Sequence, residues 1–160
     1  MIKINDKCVE LIKSFEGLFL KPYHGVHDRP GIDTIGYGTI QYPPTYRNGN
    51  MVKITDPAIT EAQATEFLKY EIMKKLKGVD LLIRDDLNEN QFGALVSFTY
   101  NLGEGALKNS YLRVRVNKNP NDKMIRDEFM KWTCSNGKCG IKGLVRRRKA
   151  EADMYFTPLP

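Results

Sequence analysis

An α+β fold, mostly helical, is predicted by three features of the sequence. Apolar residues recur at helical spacing over most of the chain: near the start, through residues 61–77 and 88–100, and from residue 143 onward. Glycine, proline and short apolar runs gather between Leu18 and Ile54, the one stretch that reads as β structure. No repeat, low-complexity segment or interdomain linker interrupts the 160 residues, so one domain spanning residues 1–160 is expected, long enough to bury a core.

The first helix is expected from Asn5 to Phe15. Cys8, Val9, Leu11, Ile12 and Phe15 make its apolar stripe, Asn5 suits the N-cap, and Gly17 suits the position just past its C-terminus. The segment Gln41-Tyr42-Pro43-Pro44-Thr45-Tyr46-Arg47-Asn48-Gly49-Asn50 is a loop, and residues 51–54 are expected as a short strand. Thr60-Glu61-Ala62-Gln63 is a capping box opening a helix over residues 61–77, with Lys74, Lys75 and Lys77 in its last turns. Asn88, with Gln91 three residues on, opens a helix that is apolar on nearly every side and so central, ending at Asn101-Leu102-Gly103-Glu104-Gly105. Weaker periodicity predicts a helix from Ser110 to Val116, a turn over residues 117–122 and a helix from Met124 to Trp132 with Ile125, Phe129 and Trp132 inward. Cys134 to Gly143 is a loop, and the last helix begins at Gly143 with the basic run Arg146-Arg147-Arg148-Lys149, whose ordinary reading is a solvated face.

Composition narrows the function. The 25 Lys and Arg outnumber 19 Asp and Glu, for a net charge of +6, which suits an anionic partner: nucleic acid, an acidic membrane face or an anionic wall polymer. No basic aromatic RNA motif and no zinc-finger spacing is present, so nucleic acid is not expected. No run of about 18 apolar residues predicts a membrane span, and the first 13 residues lack the apolar core of a secretory signal. Three cysteines leave at least one unpaired. Cys134 and Cys139 flank Ser-Asn-Gly-Lys and are able to close a small loop, but reduced thiols in a cytoplasmic product are the expectation.

The chemistry concentrates in residues 15–39. Glu16 falls at the end of the first helix, where free carbonyls make the surroundings partly negative and disfavour a second negative charge. A general acid needs that bias to keep its proton. Asp28 follows in a loop with Gly25, Pro30 and Gly31, and Thr34 comes six residues later, opening Thr-Ile-Gly-Tyr-Gly. The glycines of that run suit a strand whose backbone lies close to something else, such as a sugar chain. Inverting glycoside hydrolysis needs a protonated carboxyl beside the leaving oxygen and a carboxylate roughly 6.5–9.5 Å away that activates a water.

Glu-Gly, then Tyr23, then Asp28-x5-Thr-Ile-Gly-Tyr-Gly resembles the phage-type lysozyme family, the endolysins of glycoside hydrolase family 24. Two further blocks resemble it in the same order: Asn-Gln-Phe-Gly-Ala-Leu-Val-Ser-Phe-Thr-Tyr-Asn-Leu-Gly-Glu-Gly from Asn90, and Gly143 to Glu151. The resemblance implies a lysozyme-like fold, with a small β-sheet lobe, a helical lobe and the active-site cleft between them. It implies a muramidase acting on the β-1,4 bond between N-acetylmuramic acid and N-acetylglucosamine, with no cofactor and no metal. It places the general acid on Glu16 and the positioning of water on Asp28 and Thr34. Substrate contacts are implied for Tyr37, Asn101, Arg146 and Arg147, although Asn101 also reads as a plain helix cap. The implied partner is the peptidoglycan glycan strand. A monomer is expected, without stable membrane insertion, made in the host cytoplasm and reaching the periplasmic wall by holin-dependent export.

This chain departs from the family in three places. The Glu-to-Asp interval is longer by about three residues, Thr39 stands where the family has His after Gly-Tyr-Gly, and Asp33 replaces an aromatic residue. Asp33 therefore competes with Asp28 as the second carboxylate, and the six-residue interval to Thr34 favours Asp28. Two other functions fit parts of the sequence. A zinc amidase would use His24, His27 and Asp28, but a third well-placed histidine does not exist. A non-catalytic module would bind wall glycan through the basic face alone.

Overall fold

The computed structural model describes residues 4–25 and 31–160. The elements are α1 (Asp6–Phe15), β1 (Phe19–His24), β2 (Asp33–Gly36), α2 (Glu61–Leu82), α3 (Glu89–Leu102), α4 (Glu104–Lys108), α5 (Tyr111–Lys118), α6 (Ile125–Met130) and α7 (Lys142–Phe156). The chain forms two compact units, Ile12–Lys74 and Met1–Leu11 with Lys75–Pro160. Among the described residues no helix is long and apolar enough to cross a membrane.

In the first unit β1 and β2 pair antiparallel, with Phe19 opposite Gly36, Tyr23 opposite Thr34 and His24 opposite Asp33. Two extra residues on β1 bulge between the first two pairs. The strand expected over residues 51–54 shrinks to one bridge between Met51 and Gln41. The role of Gly17 also differs from expectation. Its backbone is not left-handed; instead a β-carbon there would lie 3.0 Å from the Phe19 ring. At this position glycine gives clearance to the Phe19 ring and supplies no left-handed turn. Buried Tyr42 and Phe67 and half-buried Tyr46 pack tilted or edge-on, with ring centroids 5.0–5.6 Å apart. Buried Asp56 accepts from the Tyr42 hydroxyl and the Lys53 amide and pairs with Arg47.

The Thr60–Gln63 capping box forms as read, with the Thr60 hydroxyl accepting from the Gln63 amide and the Gln63 side chain accepting from the Thr60 amide. The helix it opens runs five residues beyond the expected end, to Leu82. Gly78 does not stop it because Val79 and Ile83 continue the buried face, and the Glu104 carboxylate lies where a β-carbon of Gly78 would be. None of the three lysines is therefore in the last turn.

In the second unit α3 is buried along most of its length, from Phe92 to Thr99, and packs chiefly on α7. Asn88 and Gln91 complete its reciprocal cap. At Gly93 the packing is tight enough that a β-carbon would meet Met154 Cε at 2.7 Å and Cys8 Cβ at 3.0 Å. Asn5 caps α1 by accepting from the Cys8 amide, and it donates to Asn90, which in turn donates to the Thr157 carbonyl. That last bond anchors the start of the C-terminal tail. Asn101 lies inside the final turn of α3, and the C-cap is Gly103, in the left-handed region at φ 92. The plain-cap reading of Asn101 is thereby corrected.

The expectation of three reduced thiols is also corrected: Cys134 and Cys139 are joined by a disulfide. Asn136 and Gly137 between them have φ of 50° and 76°, the left-handed pair that a two-residue type I′ hairpin turn requires. Ser135 and Lys138 exchange both backbone hydrogen bonds, at 2.8 and 3.0 Å. The two cysteines are the next facing pair, where side chains of an antiparallel ladder lie closest. Cys8 is a free thiol, fully buried, donating to the Gly93 carbonyl.

Burial pushes the Cys8 thiol up to about 12, so it should be inert to a thiol-reactive probe at pH 8 while the fold is intact. Counting labelled thiols by mass should give none in the oxidised native protein, labels on Cys134 and Cys139 after mild reduction, and labelling of Cys8 only on unfolding. Rapid labelling of Cys8 in the native protein would contradict this packing.

Candidate active site

Glu16 is the first residue past α1, and its amide still donates to the Ile12 carbonyl at 3.1 Å. Its side chain is half-buried and faces the reversal that follows β2. There, Ile35 and Thr39 exchange backbone hydrogen bonds of 2.9 and 2.8 Å across Gly36-Tyr37-Gly38. The run read as a strand is thus half strand and half tight turn. Gly36 and Gly38 both have positive φ, 64° and 90°. A β-carbon at Gly36 would lie 3.2 Å from Cβ of Ala64 on α2, and one at Gly38 would lie 4.0 Å from the Glu16 carboxylate. The two glycines let the backbone lie close against α2 on one side and against Glu16 on the other.

Thr34 sits one residue into β2, opposite Tyr23 and 7% exposed. Asp28 and His27 lie outside the described residues. Asp33 is at the base of the same hairpin, and both of its oxygens have partners. Oδ1 is 2.7 Å from His24 Nδ1, and Oδ2 accepts from the Ile54 amide at 2.8 Å. His24 is thus held by a carboxylate across the strand pair. Among the described residues no group of three or more His, Cys, Asp or Glu is placed to hold a metal.

Tyr37 does not present itself as a substrate contact. It is 5% exposed, its hydroxyl donates to Glu61 Oε1 at 3.4 Å, and the Lys13 ammonium lies 5.5 Å over its ring. It ties the turn after β2 to the first turn of α2.

In the other unit the basic run of α7 divides. Arg146 and Lys149 are exposed, whereas Arg147 is 4% exposed and Arg148 wholly buried, so the solvated-face reading holds for only half of it. Arg147, expected on the substrate, directs Nε to Glu151 Oε1 at 3.4 Å. Arg148 pairs with the same carboxylate, Nε to Oε2 at 2.7 Å and Nη2 to Oε1 at 2.9 Å. The Ser97 hydroxyl donates to Glu151 Oε1 at 2.7 Å. Burial pushes the Glu151 carboxyl up and the Arg148 guanidinium down from their ordinary values, while each charge pulls the other back. Arg148 also donates to the Oδ1 of exposed Asn101 at 2.8 Å. Sequence reading missed Arg148, Glu151 and Ser97. The available signal was spacing: Ser97 and Asn101 are polar at i and i+4 on an otherwise apolar helix, and Arg148 and Glu151 are opposite charges at i and i+3.

The architecture, mostly helical with a small two-stranded antiparallel sheet, is lysozyme-like. It matches the endolysin of Escherichia coli O157:H7 phage FAHEc1 with a TM-score of 0.80 and 35% identity, over 96% of this chain and 93% of that one. It matches the muramidase domain of SpmX from Asticaccaulis excentricus with a TM-score of 0.76 and 33% identity, over 99% and 100%. An endolysin of Bacillus phage B103 is 38% identical over 98% of this chain and 55% of its own length. The chain thus spans little more than half of that Bacillus phage relative. Residues 13–151 match the phage lysozyme family, and the chain belongs to it.

The turn at Gly36 yields a stability prediction. Gly36→Ala combines a left-handed alanine, costing about 1–2 kcal/mol, with crowding of Ala64, which adds about 1–3 kcal/mol. Gly137→Ala, at φ 76 in the hairpin turn with nothing within 4 Å, meets only the conformational cost. Urea denaturation should show the larger loss for Gly36→Ala; equal losses would mean that clearance of α2 does not constrain the turn.

Proposed function

We propose that this chain is an endolysin muramidase that hydrolyses the β-1,4 bond between N-acetylmuramic acid and N-acetylglucosamine of peptidoglycan, breaking the host wall for phage release. The observation that carries the reading is the juxtaposition of Glu16, at the end of α1, with the glycine turn into which Thr34 and β2 lead. In the proposed reaction Glu16 protonates the glycosidic oxygen as its bond to the anomeric carbon breaks. A water attacks that carbon from the opposite face and gives its proton to Asp28. Thr34 supplies a second hydrogen bond that holds the water. Asn101 and Arg146 are proposed to contact the glycan strand, with Arg147 acting from its buried position through Glu151.

The commitment of both Asp33 oxygens to His24 and Ile54 supports Asp28 as the second carboxylate. Against a zinc amidase stands the shortage of ligands: the chain has two histidines, His24 and His27, and no other to complete the set. The protein is further proposed to act as a monomer on wall glycan after holin-dependent release from the host cytoplasm.

Three substitutions test the reading on purified peptidoglycan. Glu16→Gln should retain the fold and lower turnover by roughly 10²–10⁴, the usual worth of general acid catalysis. Asp28→Asn should do the same, whereas Asp33→Asn should leave most of the activity; the reverse ranking would move the second carboxylate to Asp33. Proton NMR of the first-formed reducing end should show the α anomer from the β-linked substrate. Appearance of the β anomer first would mean retention and overturn the water mechanism.

A further inference from the structure

A buried charged cluster in the second unit ends at one exposed amide. Ser97, Arg148 and Glu151 are all wholly buried, and the Arg148 guanidinium lies 5.2 Å over the Phe98 ring. Taking such charges out of water is costly, and a buried ion pair contributes little net stability compared with apolar residues of the same volume. The cluster is better understood by what it orients. Arg148 Nη2 lies within hydrogen-bond distance of both Glu151 Oε1, at 2.9 Å, and Asn101 Oδ1, at 2.8 Å. Its Nε lies 2.7 Å from the other Glu151 oxygen as an ion pair, and the Ser97 hydroxyl donates to Oε1. The guanidinium therefore has little freedom to rotate.

We propose that Arg148 is a positioning residue that pins the Asn101 amide so that its Nδ2 donates outward, to an acceptor oxygen on the glycan strand. A guanidinium has donors and no acceptor, so the atom of Asn101 that meets it is the carbonyl oxygen. The amide nitrogen, with two hydrogens, is left on the exposed side of the last turn of α3. Asn101 thus offers a neutral donor whose rotamer is already fixed, and less ordering is required when a ligand arrives. Its chemical complement on peptidoglycan is an acetamido carbonyl or a sugar hydroxyl. The proposal rests on the muramidase reading and adds to it the residue that sets the polarity of this contact.

Two variants separate positioning from simple structural support. Asn101→Asp is isosteric and still accepts from Arg148, but it presents an oxygen outward where the wild type presents a donor. On soluble uncrosslinked glycan chains its KM should rise about tenfold, the worth of one hydrogen bond lost to an unsatisfied partner, with kcat held within about twofold. Arg148→Lys keeps a positive charge beside Glu151 but lacks the planar guanidinium that faces the carboxylate with Nε while Nη2 reaches Asn101. It should raise KM in the wild-type background and change it by less than about twofold in an Asn101→Ala background, since a residue acting through another shows no separate effect once that other is gone.

Equal effects of Arg148→Lys in both backgrounds would overturn the proposal, as would an unchanged KM for Asn101→Asp. Should Arg148→Lys fail to unfold cooperatively, Asn101→Asp decides the matter alone. An active wild type with unaltered KM in Asn101→Asp refutes the positioning role and leaves the muramidase reading standing. A wild type without hydrolytic activity refutes both.

Discussion

Between Ile35 and Thr39 the chain reverses through three residues, and the local geometry around Glu16 depends on that reversal. It requires left-handed backbone at Gly36 and Gly38, which residues with a side chain adopt only at a cost. Gly36 also removes a side chain from a crowded place, whereas a β-carbon at Gly38 would only touch its neighbour. At Gly36 the neighbour is α2, and at Gly38 it is the carboxylate of Glu16. Tyr37 between them is pulled under Lys13 and bonded to Glu61, which fixes the turn to the start of α2. A residue that reads from its motif as a ligand contact therefore serves as the anchor of the loop that carries the motif.

The base of the same hairpin is held by a different device. His24 and Asp33 face each other across the strand pair, and Asp33 reaches on to the Ile54 amide, which ties the segment after residue 50 to the sheet. After Gly-Tyr-Gly this chain has buried Thr39, and its His24 meets Asp33 across the strand pair, Nδ1 to Oδ1 at 2.7 Å. An acidic residue so occupied is a poor candidate for activating water.

The second unit uses charge in the opposite way. Its core is apolar and aromatic, with Phe98 edge-on to Phe129 and Trp132. Into that core it places Arg148, Glu151 and the hydroxyl of Ser97. The opposite charges of Arg148 and Glu151 offset part of the cost of burial, although Arg148 Nη1 is buried without a hydrogen-bond acceptor. The Cys134–Cys139 hairpin precedes α7, so the segment before the helix that carries this cluster is closed by a covalent bond as well as by its Asn-Gly turn.

The sequence by itself determined where the longer helices begin, because helices and their caps are written in local spacing. Asn5, Thr60–Gln63 and Asn88–Gln91 each satisfy amides within three residues of themselves, so no distant contact is needed to read them. It also determined the family and the candidates Glu16, Asp28 and Thr34, whose spacing is a property of the chain. Tertiary structure decided which polar residues stay in water. Arg146 and Arg148 are two positions apart on one helix, and no local rule distinguishes them; the face that meets α3 buries one and exposes the other. In the same way the continuation of α2 past Gly78 was settled by Val79, Ile83 and the distant Glu104, and the burial of Tyr37 by Lys13 and Glu61. In each case the deciding partner lies elsewhere in the chain, and its position becomes defined only when the chain is folded.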